Sequence, residues 1–238
     1  MGIKTIGLLL ALATFASANP IVIDTNDRGY YYSYDYNLPT NQNYITGQLN
    51  TTSTTDVGFH SFFEFNGIPG LSGPIVSATL SLYNPAGGFS SSQSSETLVI
   101  DQFTGNTSTL ITAGGNPGGG TVTGEYNALA SGTVLGTQTV DATSDGTFVT
   151  ITLNAAGIAF LNANSGNAFA FGGFLSGIPG GDVSSRYEFG GSNFTSPTDG
   201  NAYLTVVTAT SPEPQTLLFV APALLGLFLL RRKMATDC

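Results

Sequence analysis

Phe59-His60-Ser61-Phe62-Phe63-Glu64-Phe65 is the stretch on which the fold reading turns. Side chains alternate between the two faces of an extended chain, so Phe59, Ser61, Phe63 and Phe65 share one face and His60, Phe62 and Glu64 the other. The same period of two recurs further on, where Val76, Ala78, Leu80 and Leu82 alternate with Ser77, Thr79 and Ser81. Segments 97–103, 133–140, 147–153, 168–174, 186–189 and 203–208 are enriched in β-branched and aromatic residues and read as strands as well. Gly-, Pro- and Asn-rich runs separate them, the longest being Gly114-Gly115-Asn116-Pro117-Gly118-Gly119-Gly120. Gly67-Ile68-Pro69-Gly70 is echoed at Gly177-Ile178-Pro179-Gly180, and Pro followed by Gly suits a type II turn in both. One interior segment reads as helix, 155–162, with Asn154 as its cap. The expected fold class is all-β: an antiparallel two-sheet β-sandwich, jelly-roll-like, flanked by an N-terminal signal helix and a C-terminal transmembrane helix.

Working outward, both ends of the 238-residue chain read as addresses. In residues 1–18, Lys4 supplies a positive start, Ile6 to Phe15 an apolar run, and Ala16-Ser17-Ala18 a small-residue cleavage site. The pattern predicts a signal peptide cut between Ala18 and Asn19. At 211–238 the chain carries Pro212-Glu213-Pro214, an apolar run from Thr216 to Leu230, and the basic cluster Arg231-Arg232-Lys233. Fifteen helical residues cover only about 22 Å of a hydrocarbon core roughly 30 Å thick, so the predicted membrane helix is short. The basic cluster places the C-terminus in the cytoplasm and the body, 19–210, outside.

Charged residues make up 9% of the chain and the formal net charge is −9. Of the six basic residues, Lys4 belongs to the leader and Arg231, Arg232 and Lys233 to the tail, leaving Arg28 and Arg186 in the body. Of the fifteen acids, Glu213 and Asp237 lie in the tail, leaving thirteen. So acidic a body repels phosphate backbones, which argues against a nucleic-acid partner. The sole cysteine is Cys238, so neither an intrachain disulfide nor a cysteine-based metal site can form.

The order Pro212-Glu213-Pro214, short apolar helix, Arg231-Arg232-Lys233 resembles the bacterial PEP-CTERM sorting signal. The resemblance implies export machinery and an exosortase-type membrane protease as partners, with cleavage near the Pro-Glu-Pro. It also implies an inner-membrane intermediate, then a place on the cell surface or in extracellular matrix. The extra residues Met234 to Cys238 after the basic cluster depart from the usual ending. The body is loosely similar to DNRLRE-type carbohydrate-module relatives. The resembling pieces are Asn43-Tyr44-Ile45-Thr46-Gly47, His60 to Phe65, Ile75 to Leu82 and Ala202 to Val206.

The body offers several candidate chemistries. Tyr30, Tyr31, Tyr32, Tyr34 and Tyr36, with Tyr44, carry flat faces suited to stacking on sugar rings. The competing reading of this region is a tyrosine-rich loop packed over the sandwich. Asp24, Asp27 and Asp35 supply oxygens of the kind Ca²⁺ takes, although the terminal glutamate of an EF-hand loop is missing. No other cofactor or metal is expected. Glu64, Glu96, Glu125 and Glu188 are the acids from which a glycosidase pair would be drawn. His60, the one histidine, sits inside a strand pattern without a nucleophile elbow, which reads as structural. The leading expectation is a non-enzymatic exported protein associated with exopolysaccharide. A carbohydrate-binding module using the tyrosine region and a glycoside hydrolase are the alternatives.

Overall fold

The structure is a computed structural model and describes residues 19–33, 41–50, 57–112, 124–178, 184–194, 196 and 198–209. In chain order the first elements are β1 (Ile21–Asp24), β2 (Asp27–Tyr32), β3 (Thr46–Leu49), β4 (Val57–Phe65), β5 (Ile75–Tyr83) and β6 (Glu96–Gln102). Next come α1 (Thr107–Thr112), α2 (Glu125–Ala128), β7 (Val134–Val140), β8 (Phe148–Thr152) and α3 (Ala155–Asn164). The last are β9 (Phe169–Ser176), β10 (Arg186–Glu188) and β11 (Ala202–Thr208). Each of the eight segments expected to be extended is a strand, its ends within two residues of the expectation.

The strands form two antiparallel sheets, one of four strands in the order β1-β11-β5-β8 and one of seven. In the larger sheet the path is β10-β3-β4-β9-β6-β7, and β2 also pairs with β4. Phe59 pairs with both Tyr32 and Gly47, and Ser61 with both Tyr30 and Gly173. Strand β4 therefore carries β2 along one edge, and β3 followed by β9 along the other.

Alternation decides what fills the space between the sheets. Phe63, Phe65, Leu98, Ile100 and Phe171 from the larger sheet meet Leu80, Leu82, Ile151, Leu204 and Val206 from the smaller in one buried cluster. This is a β-sandwich, held by the apolar surface its two inner faces remove from water. Helix α3 packs against β5 and β7. It starts as expected at Asn154, whose side chain accepts from the Gly157 amide at 3.0 Å. Leu161 on the helix is buried in the main core, and the Asn162 side chain bonds both the N–H and the C=O of Ile75. The expected type II turn at Pro69-Gly70 is consistent with Gly70 at φ 72°.

Two departures from the sequence reading concern the chain's small elements. Residues 30–32 belong to strand β2 and not to a loop, because their amides pair along β4. Helix α3 is also not alone: α1, α2 and a 3-10 turn at Ala142–Ser144 are present. α1 and α2 are too short to show an amphipathic period, and they form against the outer face of the larger sheet. There Tyr31, Phe62, Phe103, Leu110, Leu129 and Ala170 make a second, smaller buried cluster. No helix among the described residues is long and apolar enough to cross a membrane. The expected signal and tail segments lie outside them, as do Ala16, Ala18, Pro212, Glu213, Pro214, Arg231, Arg232 and Lys233. Asn19 is the first described residue, two positions before β1.

Candidate functional site

Strand β2 gathers five of the chemistry-bearing side chains, Asp27, Arg28, Tyr30, Tyr31 and Tyr32, and its pleat divides them. Asp27, Gly29 and Tyr31 share the outer face with their β4 partners Glu64, Phe62 and His60. Arg28, Tyr30 and Tyr32 share the inner face with Phe63, Ser61 and Phe59.

The tyrosines thus separate. Tyr31 is fully buried beneath α1, its hydroxyl donating toward the Thr109 and Leu110 carbonyls. Tyr44 is also fully buried, stacked on Phe194 and edge-on to Phe63 and Phe189. Neither ring has a face to offer a sugar. Tyr30 and Tyr32 are half-buried, 5.2 Å apart between ring centres, and both pack on Phe59. Tyr34 and Tyr36 lie outside the described residues.

Beneath this strand Arg28 is fully buried. Its guanidinium donates to both carboxylate oxygens of Asp199 at 2.8 and 2.7 Å and lies over the rings of Tyr44 and Phe194. Burial pulls the Asp199 carboxyl upward, but hydrogen bonds from Arg28 and Asn201 outweigh it and hold the group below its usual range. Arg186 likewise makes a two-point ion pair with Glu96, Nε to Oε1 and Nη2 to Oε2, both at 2.7 Å. Neither arginine presents its charge to solvent.

On the outer face Asp27 and Glu64 stand directly opposite each other in the register. Asp27 is 8% and Glu64 3% exposed. Burial, reinforced by the Asp27 charge, raises Glu64 to about 7. Burial also raises Asp27, opposed by hydrogen bonds from Gln42 and the Arg28 amide and by the Arg28 charge. Two carboxylates so placed repel, and one of them holds a proton near neutrality. The sequence names both residues as candidates in separate roles, Asp27 for calcium and Glu64 for hydrolysis; the strand register is what joins them.

The other acids stand apart from this pair. Burial, with Asp145 and Asp141 nearby, raises Glu188 to about 8 against a hydrogen bond from Ser144. Glu125 is buried at the start of α2. Asp101, which sequence reasoning passed over, is buried on the outer face and raised to about 7 by desolvation, while its Oδ2 accepts from the Gly132 amide at 2.9 Å. Its position inside an apolar strand run, Thr97-Leu98-Val99-Ile100-Asp101, was the available signal. Asp24 faces outward from the smaller sheet and Asp27 outward from the larger, so the two cannot share a calcium ion; Asp35 lies outside the described residues. No group of three or more His, Cys, Asp or Glu among the described residues could hold a metal ion.

His60 lies flat on Tyr126, ring centres 3.8 Å apart and planes within 5°. Its Nδ1 is 2.7 Å from the Tyr126 carbonyl, which can only accept, so Nδ1 carries the proton. Burial lowers its pKa against that bond, and the ring is held neutral. A cavity of about 240 Å³ borders His60 and Tyr126, and an open cleft of about 470 Å³ lies between Asp24-Asn26, Asn66-Pro69 and Ser165-Gly166. Neither is lined by Asp27 or Glu64. Comparison of the sequence with protein-family models gives no match, and comparison with curated proteins gives none either.

Proposed function

We propose that this chain is an exported, non-enzymatic surface or matrix protein, sorted through a PEP-CTERM-like tail and associated with exopolysaccharide. One observation supports the reading: every strand among the described residues lies between the two expected processing sites. The first sheet pairing is Ile21 with Val206, and β11 ends at Thr208. Cleavage after Ala18 and near Pro212-Glu213-Pro214 would remove none of the described strands, and β1 and β11 are neighbours, so the described body starts and finishes on adjacent strands. The body is a jelly roll on this reading, supported by the order β1-β11-β5-β8 packed over β4-β9-β6-β7, with β2, β3 and β10 as additions.

The glycoside-hydrolase reading draws its pair from Glu64, Glu96, Glu125 and Glu188; the register sets Glu64 opposite Asp27 instead, and acids 3% and 8% exposed and bordering neither cleft are poorly placed to meet a polymer. The intact mass of the mature protein, taken by cell fraction from the producing cells, tests the leading reading. A species running from Asn19 to the Pro212–Pro214 region, outside the inner membrane, is expected. A species that keeps Leu217 to Leu230 and stays in the inner membrane would make the tail a plain anchor and end the sorting proposal.

A further inference from the structure

The four-stranded sheet turns one face to the core, and among the described residues Val22 and Phe148 on its other face are exposed. Its outer face is built by register. Val22, Thr205, Thr79 and Thr152 stand side by side across β1, β11, β5 and β8. Adjacent strands are about 4.8 Å apart, so the row runs about 14 Å. In the next row, Ser81 of β5 stands between Tyr203 and Thr150. Phe148 of β8 and Tyr203 of β11 reach toward each other across β5, their ring centres 5.4 Å apart. Tyr83 meets Phe148 edge-on at 5.3 Å. Ser81 is 4% exposed beneath this aromatic bridge, whereas Phe148 is 43% exposed above it.

We infer that this face is a binding surface for an uncharged polysaccharide; the inference rests on the proposed association with exopolysaccharide and names its chemistry and its place. Aromatic rings beside a ladder of hydroxyls offer what a sugar ring needs, apolar contact for its C–H face and partners for its hydroxyls. Charge selects among polymers. The only two cations of the body, Arg28 and Arg186, are buried in ion pairs with Asp199 and Glu96. An anionic polymer would find no exposed arginine or lysine among the described residues, and it would meet Asp24 at the β1 edge of the face. A neutral polymer loses nothing by that arrangement. The tyrosines of β2 contribute less, since Tyr31 is covered and Tyr30 and Tyr32 pack into each other and Phe59.

Affinity electrophoresis of the full chain in detergent tests this, with dextran, soluble β-glucan or galactomannan in the gel as neutral polymers and alginate or polygalacturonate as anionic ones. Retardation by at least one neutral polymer, and by neither anionic one, is expected. Phe148→Ala and Tyr203→Ala should each weaken it by about ten-fold, equivalent to roughly 1.4 kcal/mol, with thermal unfolding unchanged as the control for folding. Thr152→Glu should weaken it too, whereas Tyr30→Ala with Tyr32→Ala should not. Absence of retardation by every neutral polymer would overturn the inference, as would equal retardation by alginate or binding lost only in the β2 variants. If sedimentation shows a dimer that Phe148→Ala dissociates, and no polymer is bound, the face serves a second copy of the chain and the inference fails. The sorting proposal is judged separately by the mass measurement, so a correctly processed protein that binds no neutral polymer would sink only the assignment of this face.

Discussion

Glu64 is held where its charge is least welcome, opposite Asp27 and out of water. Its pKa rises in the folded state to about 7, so the fold binds a proton there that the unfolded chain has released. Any stability tied to that proton is present at low pH and lost as pH rises through about 7. Glu64→Gln keeps the shape and removes the titration. It should stabilise the protein at about pH 8.5 by on the order of 1–3 kcal/mol, with the gain vanishing near pH 4; urea unfolding at both values is the check, and a pH-independent difference would refute the coupling. The Glu96–Arg186 pair should behave in the opposite sense. Both partners are buried, and Ser91 also donates to Glu96. Glu96→Gln removes a carboxylate charge that the buried guanidinium bonds at two points, for an expected loss of about 3–5 kcal/mol in the same assay. A loss under about 1 kcal/mol would mean that the pair is effectively solvated.

At the scale of elements, the segment following α2 docks on the larger sheet at a glycine. A Cβ on Gly172 would lie 2.2 Å from the Leu129 carbonyl oxygen and 2.4 Å from Asp101 Oδ1. Both oxygens therefore lie over the same bare stretch of β9. Desolvation under this layer raises the Asp101 carboxyl to about 7. Gly172→Ala should push Leu129 off the sheet, since a backbone atom cannot rotate aside as a side chain does. An expected loss of about 1–3 kcal/mol accompanies it. Amide exchange should speed up at Leu129 and Ala130 while β5 and β11 stay protected. Uniform loss of protection across both sheets would show that this outer layer and the sandwich unfold as one unit. The His60–Tyr126 stack belongs to the same dock, holding the α2 end of the segment against β4.

Over the whole molecule, the raised carboxyls add up. Glu64 and Asp101 titrate at about 7 and Glu188 at about 8, each pushed there first by burial. All three favour the folded state while protonated. His60 acts the other way, because its lowered pKa makes the fold resist protonation as pH falls below about 6.5. Three carboxyls outweigh one imidazole above that point. The melting temperature is expected to be higher at about pH 5.5 than at about pH 8.5; equal or reversed values would mean that the buried acids relax into water. The two arginines among the described residues are hidden in ion pairs, in keeping with the proposed preference for neutral polymers.

Much of this was legible in residue order. Alternation around Phe59 to Phe65 and Val76 to Leu82 announces strands, although β4 proves buried on both faces because the layer of α1 and α2 covers Phe62 as well. Asn154 announces a helix start, because its side chain caps an amide three residues on. Such signals are local, and local geometry reads them. The Asp27–Glu64 pair, the Arg28–Asp199 pair and the Thr205-Thr79-Thr152 row are not local: their members lie 37 to 171 residues apart in the chain or on strands paired by register alone. The division of Tyr30, Tyr31 and Tyr32 between buried and half-exposed needed the same knowledge, since pleating shows that neighbours alternate but not which face α1 will cover. Strand register and layer packing set those partners, and both arise from how the whole chain shares its apolar surface.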